Sequence, residues 1–211
     1  MSTSRIPDAP GRSPMDAAPN RGAPRVSRDA TSDGGLGGRP ESPNKAIDRV
    51  SIRGTAPDDA ASICTIYNQG IDDRLATLET ERRTPDERRA WLTARGPRHP
   101  VFVAEANGAI VGWASLNVFN PRPAYDHVAD LSVYVERAWR GRGIGRRLLS
   151  HLVDVGPGFG YHKLVLAAFP FNAPGMALYE RLGFRAVGIY REQGLLDGRW
   201  VDVIIMERLL A

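Results

Sequence analysis

The strongest chemical signal in the chain is a basic, glycine-punctuated loop, Arg140-Gly-Arg-Gly-Ile-Gly145, which joins a strand-like segment to a helix-like one. Glycines at a helix start let successive main-chain N–H groups approach an anion without intervening side chains, and the helix dipole adds to their pull. A pyrophosphate suits this arrangement; a flexible turn before a helix is the plain structural alternative. No Gly-Lys-Ser/Thr ending follows, as a nucleoside triphosphate loop requires, and Gly141, Gly143 and Gly145 lack the G-x-G-x-x-G spacing of dinucleotide binders. Other chemistry is thinly represented. Cys64 is the single cysteine and reads as a packed thiol, and His99, His127, His151 and His162 show none of the short spacings of a metal site, so no metal is expected.

The 211 residues are 42% hydrophobic and 25% charged, values ordinary for a globular protein. The net charge of +4 divides evenly, +2 over residues 1–45 and +2 over the rest, so neither part reads as a nucleic-acid binder. No stretch is apolar enough for a membrane span or a secretory signal, which predicts a cytoplasmic protein with no membrane partner. Residues 1–45 lack aromatics and are dominated by Pro, Gly, Ser and Arg. Such a segment buries too little apolar surface to offset its ordering entropy and is expected to be a disordered tail, leaving 46–211 as one domain.

Periodicity and turn signals within that domain predict the order β, α, α, β, β, β, α, β, α, β, β. "RVSIRG" opens it as a strand, and Thr55-Ala-Pro-Asp58 reads as a helix-capping box. Thr84-Pro-Asp-Glu87 starts a second helix, and Asn107-Gly108 joins "VFVAE" to "AIVGWASL" as a hairpin. "HVADLSVYV", "KLVLAAF", "FRAVGIYR" and "WVDVIIMERLL" are further strands. The fold class is α/β of the α+β type, a mixed sheet flanked by helices.

Arg140-x-x-Gly143-x-Gly145, together with "FNAPGMALYERLGF", in which Asn172 precedes Tyr179 by seven residues, resembles the coenzyme segments of the GNAT N-acetyltransferases. "ICTIYNQGI", "RPAYDHVADLSVYV" and "GLLDGRWVDVIIMERLL" are similar to the phosphinothricin and arsinothricin acetyltransferase branch. The resemblance spans about residues 50–210 and implies the GNAT acyl-CoA N-acyltransferase fold, a twisted, mostly antiparallel sheet flanked by helices. It also implies acetyl-CoA as cosubstrate, held by Val133, Tyr134, Val135, Arg140, Gly141, Arg142, Gly143, Ile144, Gly145, Arg146, Asn172 and Tyr179. Acetyl transfer from a thioester needs a neutral amine, a polarised carbonyl and a protonated leaving thiolate. The resemblance puts Asp130 where the family has a Glu base, one methylene shorter and so more dependent on a bridging water, and makes Tyr179 the acid. Amides near Leu131 to Val133 would meet the acetyl carbonyl. Asn172 would hold the pantetheine arm or cap its helix.

Two departures stand out: Gly175 replaces the usual Ser or Ala, and Leu131 replaces a polar residue. For the acceptor, the resemblance implies Arg122 and Tyr125, with Arg74, Leu78, Asp130, Ser132 and Tyr134 as neighbours, because an arginine fork matches an anionic phosphinate, arsonate or carboxylate. The implied activity is detoxifying acetylation of a small amino-acid-like substrate such as phosphinothricin, arsinothricin or methionine sulfoximine by a homodimer. Acetylation of another amine, or acetyl-CoA binding without turnover, is the alternative.

Overall fold

The computed structural model describes residues 50–210; the expected tail over 1–45 lies outside the described residues. The elements are β1 (Ser51–Gly54), α1 (Ala60–Asp72), α2 (Pro85–Thr93), β2 (Val101–Ala106), β3 (Ala109–Val118), β4 (Val128–Val135), α3 (Ile144–Val155), β5 (Lys163–Ala168), α4 (Ala173–Arg181), β6 (Arg185–Leu196) and β7 (Arg199–Leu209). This is the expected order. The seven strands form one sheet in the order β1-β2-β3-β4-β5-β7-β6. Every neighbouring pair is antiparallel except β4 with β5.

Local sequence accounts for most boundaries. Asn107 and Gly108 take φ of 52° and 75°, and Asp197 and Gly198 take 48° and 77°, the paired positive values of tight hairpin turns. At the start of α2 the Glu87 N–H donates to Thr84 Oγ1 at 3.2 Å while Thr84 N–H donates to Glu87 Oε2 at 2.7 Å. The entry to α1 differs from expectation. A 3-10 turn over Pro57–Asp59 precedes the helix, and the cap is made by Asp59 Oδ2, which accepts from Ala56 N–H at 2.7 Å; Thr55 takes no part in the cap. Arg53 pulls Asp59 to this place with bonds of 2.7 and 3.0 Å and holds its carboxyl below the usual carboxylate range.

The sheet is covered on both sides. Trp113 on β3 packs with Ile63 and Ile66 of α1 and with Val101 and Val103 of β2. The alternate β3 residues Ala114 and Leu116 pack with Leu148, Leu149 and Leu152 of α3. Gly112 permits that second contact: a Cβ there would lie 3.0 Å from Leu148 Cδ1, 3.0 Å from the Tyr134 carbonyl oxygen and 3.2 Å from Ile144 Cγ2. Because one of those atoms is main chain, the crowding cannot be relieved by a rotamer change. Gly112→Val should therefore destabilise the domain by about 1–3 kcal/mol. Urea unfolding checks this through a lower midpoint at unchanged slope.

Candidate active site

The site originates in a parting of strands. β4 and β5 pair at only three positions, Val128↔Lys163, Ala129↔Leu164 and Asp130↔Val165. Beyond Asp130, β4 stays with β3 as far as Val135 and β5 stays with β7. The cleft between them leads into a cavity of about 410 Å³ lined by Leu131 and Val133 of β4, Leu166 and Ala168 of β5, Asn172, and Tyr179 of α4. A second cavity, of about 540 Å³, lies among Tyr67, Arg88, Trp91, Arg95, Trp113 and Asn117. Asp130, Ser132 and Tyr134, which share one face of β4, line both cavities together with Thr77. They form the partition between the two spaces.

Burial pushes the Asp130 carboxyl up to about 6, and hydrogen bonds from Asn117 and the Leu131 amide restrain the rise. Asn117 faces Asp130 because β3 and β4 are in register there, and its Nδ2 donates to Asp130 Oδ2 and to Ser132 Oγ, each at 3.2 Å. Its Oδ1 accepts from Ser115 Oγ at 2.9 Å and from Arg95 Nη2 at 3.1 Å. Those two donors fix the carboxamide so that its NH₂ group, and not its oxygen, meets the acid. Arg95, Ser115 and Asn117 escaped the sequence reading; the alternation of "ASLN" against "DLS" was the available signal. Across the partition, burial keeps the Tyr179 phenol well above its ordinary value and therefore neutral. Tyr134 is held up in the same way, with its ring stacked on Trp113 at 4.8 Å.

The glycine loop has the geometry of an anion cradle. Gly141 and Gly143 have φ of 74° and 81°, a region open chiefly to glycine, and Gly143 stands at the N-cap of α3 with no side-chain cap. The first intrahelical bond from this end is Arg147 N–H to Gly143 O at 3.1 Å, so the preceding amides are unspent among the described residues. Gly145 lets α4 approach: a Cβ would meet Leu178 Cδ2 at 3.3 Å. Arg142 and Arg146 are exposed beside the loop. Arg140 is occupied inward, by Asp73 at 2.5 Å and the Val135 carbonyl at 3.1 Å. Asn172 caps α4 by accepting from Gly175 N–H at 3.1 Å and also donates to the Leu75 carbonyl at 3.1 Å. A Cβ on residue 175 would lie 2.7 Å from Asn172 Nδ2, so glycine there makes room for this double contact.

The expected acceptor residues separate into two groups. Leu78, Asp130, Ser132 and Tyr134 line the cavities. Arg74, at φ 55°, is instead bound to Asp197 at 3.0 Å and to the Ile71 and Glu79 carbonyls, and it lines neither cavity. Tyr125 ends the exposed 3-10 turn Pro123–Tyr125, Arg122 stands at its N-cap, and neither lines a cavity described above; Tyr125 packs on Phe119. The Cys64 thiol is buried, donates to the Arg83 carbonyl at 3.0 Å, and is pushed up by burial.

The raised Asp130 carries a stability signature. An aspartate normally titrates near 3.9, so the folded state favours its proton; the stabilisation is complete below about pH 4 and is lost as pH rises through 6, by roughly 3 kcal/mol. Asp130→Asn should therefore be more stable than wild type at pH 8 by up to about this amount and equal to it near pH 4. Melting curves across that range check the crossover.

Comparison with known proteins agrees with this geometry. Residues 67–184 match the Acetyltransferase (GNAT) family model. The chain is 33% identical to the L-methionine sulfoximine/L-methionine sulfone acetyltransferase of Salmonella typhimurium, over 75% of this chain and 93% of that one. It is likewise 33% identical to the phosphinothricin N-acetyltransferase of Streptomyces coelicolor, over 76% and 96%. A solved GNAT phosphinothricin acetyltransferase from Sinorhizobium meliloti in complex with AcCoA superposes with a TM-score of 0.71 at 30% identity, covering 77% of this chain and 89% of that one. With its parted strands, left-handed glycine loop and sequence kinship, the chain belongs to the GNAT acetyltransferase family, in the branch that holds the phosphinothricin N-acetyltransferases.

Proposed function

We propose that the chain acetylates the α-amine of a small amino acid of the phosphinothricin, arsinothricin or methionine sulfoximine type with acetyl-CoA. The observation that carries this reading is the partition of Asp130, Ser132 and Tyr134 between two cavities, which gives donor and acceptor separate spaces with one shared wall. The coenzyme fits the first cavity. Unspent amides at the start of α3, with Arg142 and Arg146 beside them, suit a pyrophosphate, and the narrow cleft beyond suits a thin pantetheine arm. Acetyl-CoA, when bound, supplies the acyl group as a reactive thioester.

Asp130, ionised above about pH 6, takes the proton of the incoming amine, directly or through water, while Asn117 holds the carboxylate in place. The β4 edge beyond Asp130 has no strand partner on the β5 side, so past Leu131, whose amide already meets Asp130, the stretch to Val133 can offer an N–H to a carbonyl that gathers negative charge. Tyr179, kept neutral by burial, has a phenolic proton to give to the departing sulfur. Residues 46–211 would form the catalytic unit, working in the cytoplasm where acetyl-CoA is present. The edge strand β6 and its partner β7 expose Val187, Ile189, Leu195 and Trp200, which supports a homodimer through that edge.

Asp130→Ala and Tyr179→Phe should each lower kcat by about 10² to 10⁴ with smaller changes in acetyl-CoA affinity. In the wild type, kcat/KM should rise with pH through an inflection near 6, and Asp130→Ala should abolish it. Stopped-time assays of phosphinothricin and methionine sulfone acetylation measure both. Near-normal turnover in either variant moves that role to another group, and a wild-type preference for polyamines or protein N-termini overturns the acceptor class.

A further inference from the structure

The second cavity contains a charge that the proposed chemistry leaves unused. Arg88, on α2, is 8% exposed. Its guanidinium carbon lies 3.8 Å from the centroid of the Tyr67 ring and 5.1 Å from that of Trp91. The other arginine that lines this cavity is engaged: Arg95 donates to the His99 carbonyl at 2.6 Å, to the Leu116 carbonyl and to Asn117. The Arg88 guanidinium has neither a hydrogen bond nor an ion pair among the described residues, and its Nε is fully enclosed. Of the three enclosed side-chain polar atoms without a partner among the described residues, a second, Nε1, belongs to Trp113, which lines this same cavity.

Both orphaned atoms are donors. A buried guanidinium without an anion is costly, and aromatic faces offset that cost only in part. Rings packed on its face leave the in-plane N–H fork for an oxyanion, which such a fork can bind through two oxygens. We infer that Arg88 is the anion-binding residue of the acceptor cavity, receiving an oxyanion of the substrate while the substrate amine meets Asp130. This inference rests on the amino-acid reading of the acceptor. It moves the anion contact from the exposed Arg122 to a residue enclosed in the cavity.

The spacing indicates which oxyanion. Tyr67, beneath Arg88, meets Tyr134 at 5.0 Å between ring centroids, and Tyr134 lies four residues along β4 from Asp130. Four residues of strand span roughly 13 Å, a distance that the inward side chains shorten. It favours an acid group several bonds from the amine, as on a side chain, over the α-carboxylate beside it.

Steady-state kinetics of the full chain, as wild type, Arg88→Gln and Arg88→Lys, tests the assignment. The acceptors are phosphinothricin, which has an anionic side chain, and methionine sulfone, whose side chain is neutral. Arg88→Gln should raise the KM for phosphinothricin about tenfold or more, leave the KM for acetyl-CoA within about twofold, and change methionine sulfone little. An equal rise for both acceptors would also support the anion site and would place the α-carboxylate there. Arg88→Lys keeps the charge without the fork, should give an intermediate KM, and serves if the glutamine variant does not fold.

Quenching of tryptophan fluorescence by phosphinothricin, reported by Trp91 and Trp113, supplies a readout independent of turnover. Unchanged KM values and unchanged quenching in both variants overturn the inference. If the wild type acetylates neither acceptor, the amino-acid reading fails by itself. The titration then still decides on Arg88: quenching that Arg88→Gln abolishes sustains an anion site, and its absence from the wild type overturns one.

Discussion

The parallel contact between β4 and β5 ends after three residue pairs because each strand is bound more extensively on its other side, β4 to β3 through seven pairs and β5 to β7 through six. Sheet twist then carries the two halves apart. Main-chain groups on the inner edge of β4 are left without a strand partner in the middle of the sheet, where an unpaired polar group is expensive. That constraint creates the cleft, and the rest of the site is arranged about it. α3 and α4 approach each other through Gly145 and Leu178, and the partition residues stand on the strand that loses its neighbour.

A second constraint is electrostatic. An aspartate that loses its water is pushed toward neutrality, and the network below Asp130 moderates this without adding an opposite charge next to it. Asn117 supplies a neutral donor, and the cation Arg95 is kept one residue further away, on the far side of that carboxamide. A directly paired arginine would hold the carboxylate too firmly ionised to accept a proton near neutral pH. The arrangement leaves the acid titrating within reach of neutral pH, at a cost to stability of the kind common in functional sites.

The segment between α1 and α2 ties the two halves of the divided sheet together. Its residues Leu75 to Leu78 line the first cavity, and Thr77 reaches both. Asn172 holds the Leu75 carbonyl, Arg74 holds Asp197 in the β6–β7 turn, and Leu78 lies against Gly194 of β6, where a Cβ would come within 2.7 Å. Asp73, at the end of α1, grips Arg137 at 2.6 Å and Arg140 at 2.5 Å and so fastens the glycine loop to the same segment. The glycine loop, the wall of the first cavity and the β6–β7 turn thus share a small set of anchors.

Local signals in the sequence determined the element order, the Asn107-Gly108 hairpin turn, the Thr84 cap and the glycine loop, because each depends on residues close together in the chain. Alternation along "VADLSVYV" likewise determined that Asp130, Ser132 and Tyr134 share a face. The tertiary structure alone decided what those residues meet. Asn117 reaches Asp130 only through strand register, and the rise of the Asp130 carboxyl needs the burial that α1, α2 and the neighbouring strands create together. The arginines show the difference most clearly. Arg74, Arg88 and Arg122 are equivalent as letters, yet one is spent on a distant aspartate, one is enclosed between aromatic rings, and one is exposed on a turn. A side chain's partners lie across strands and helices far apart in sequence, and packing, which no local pattern encodes, selects them.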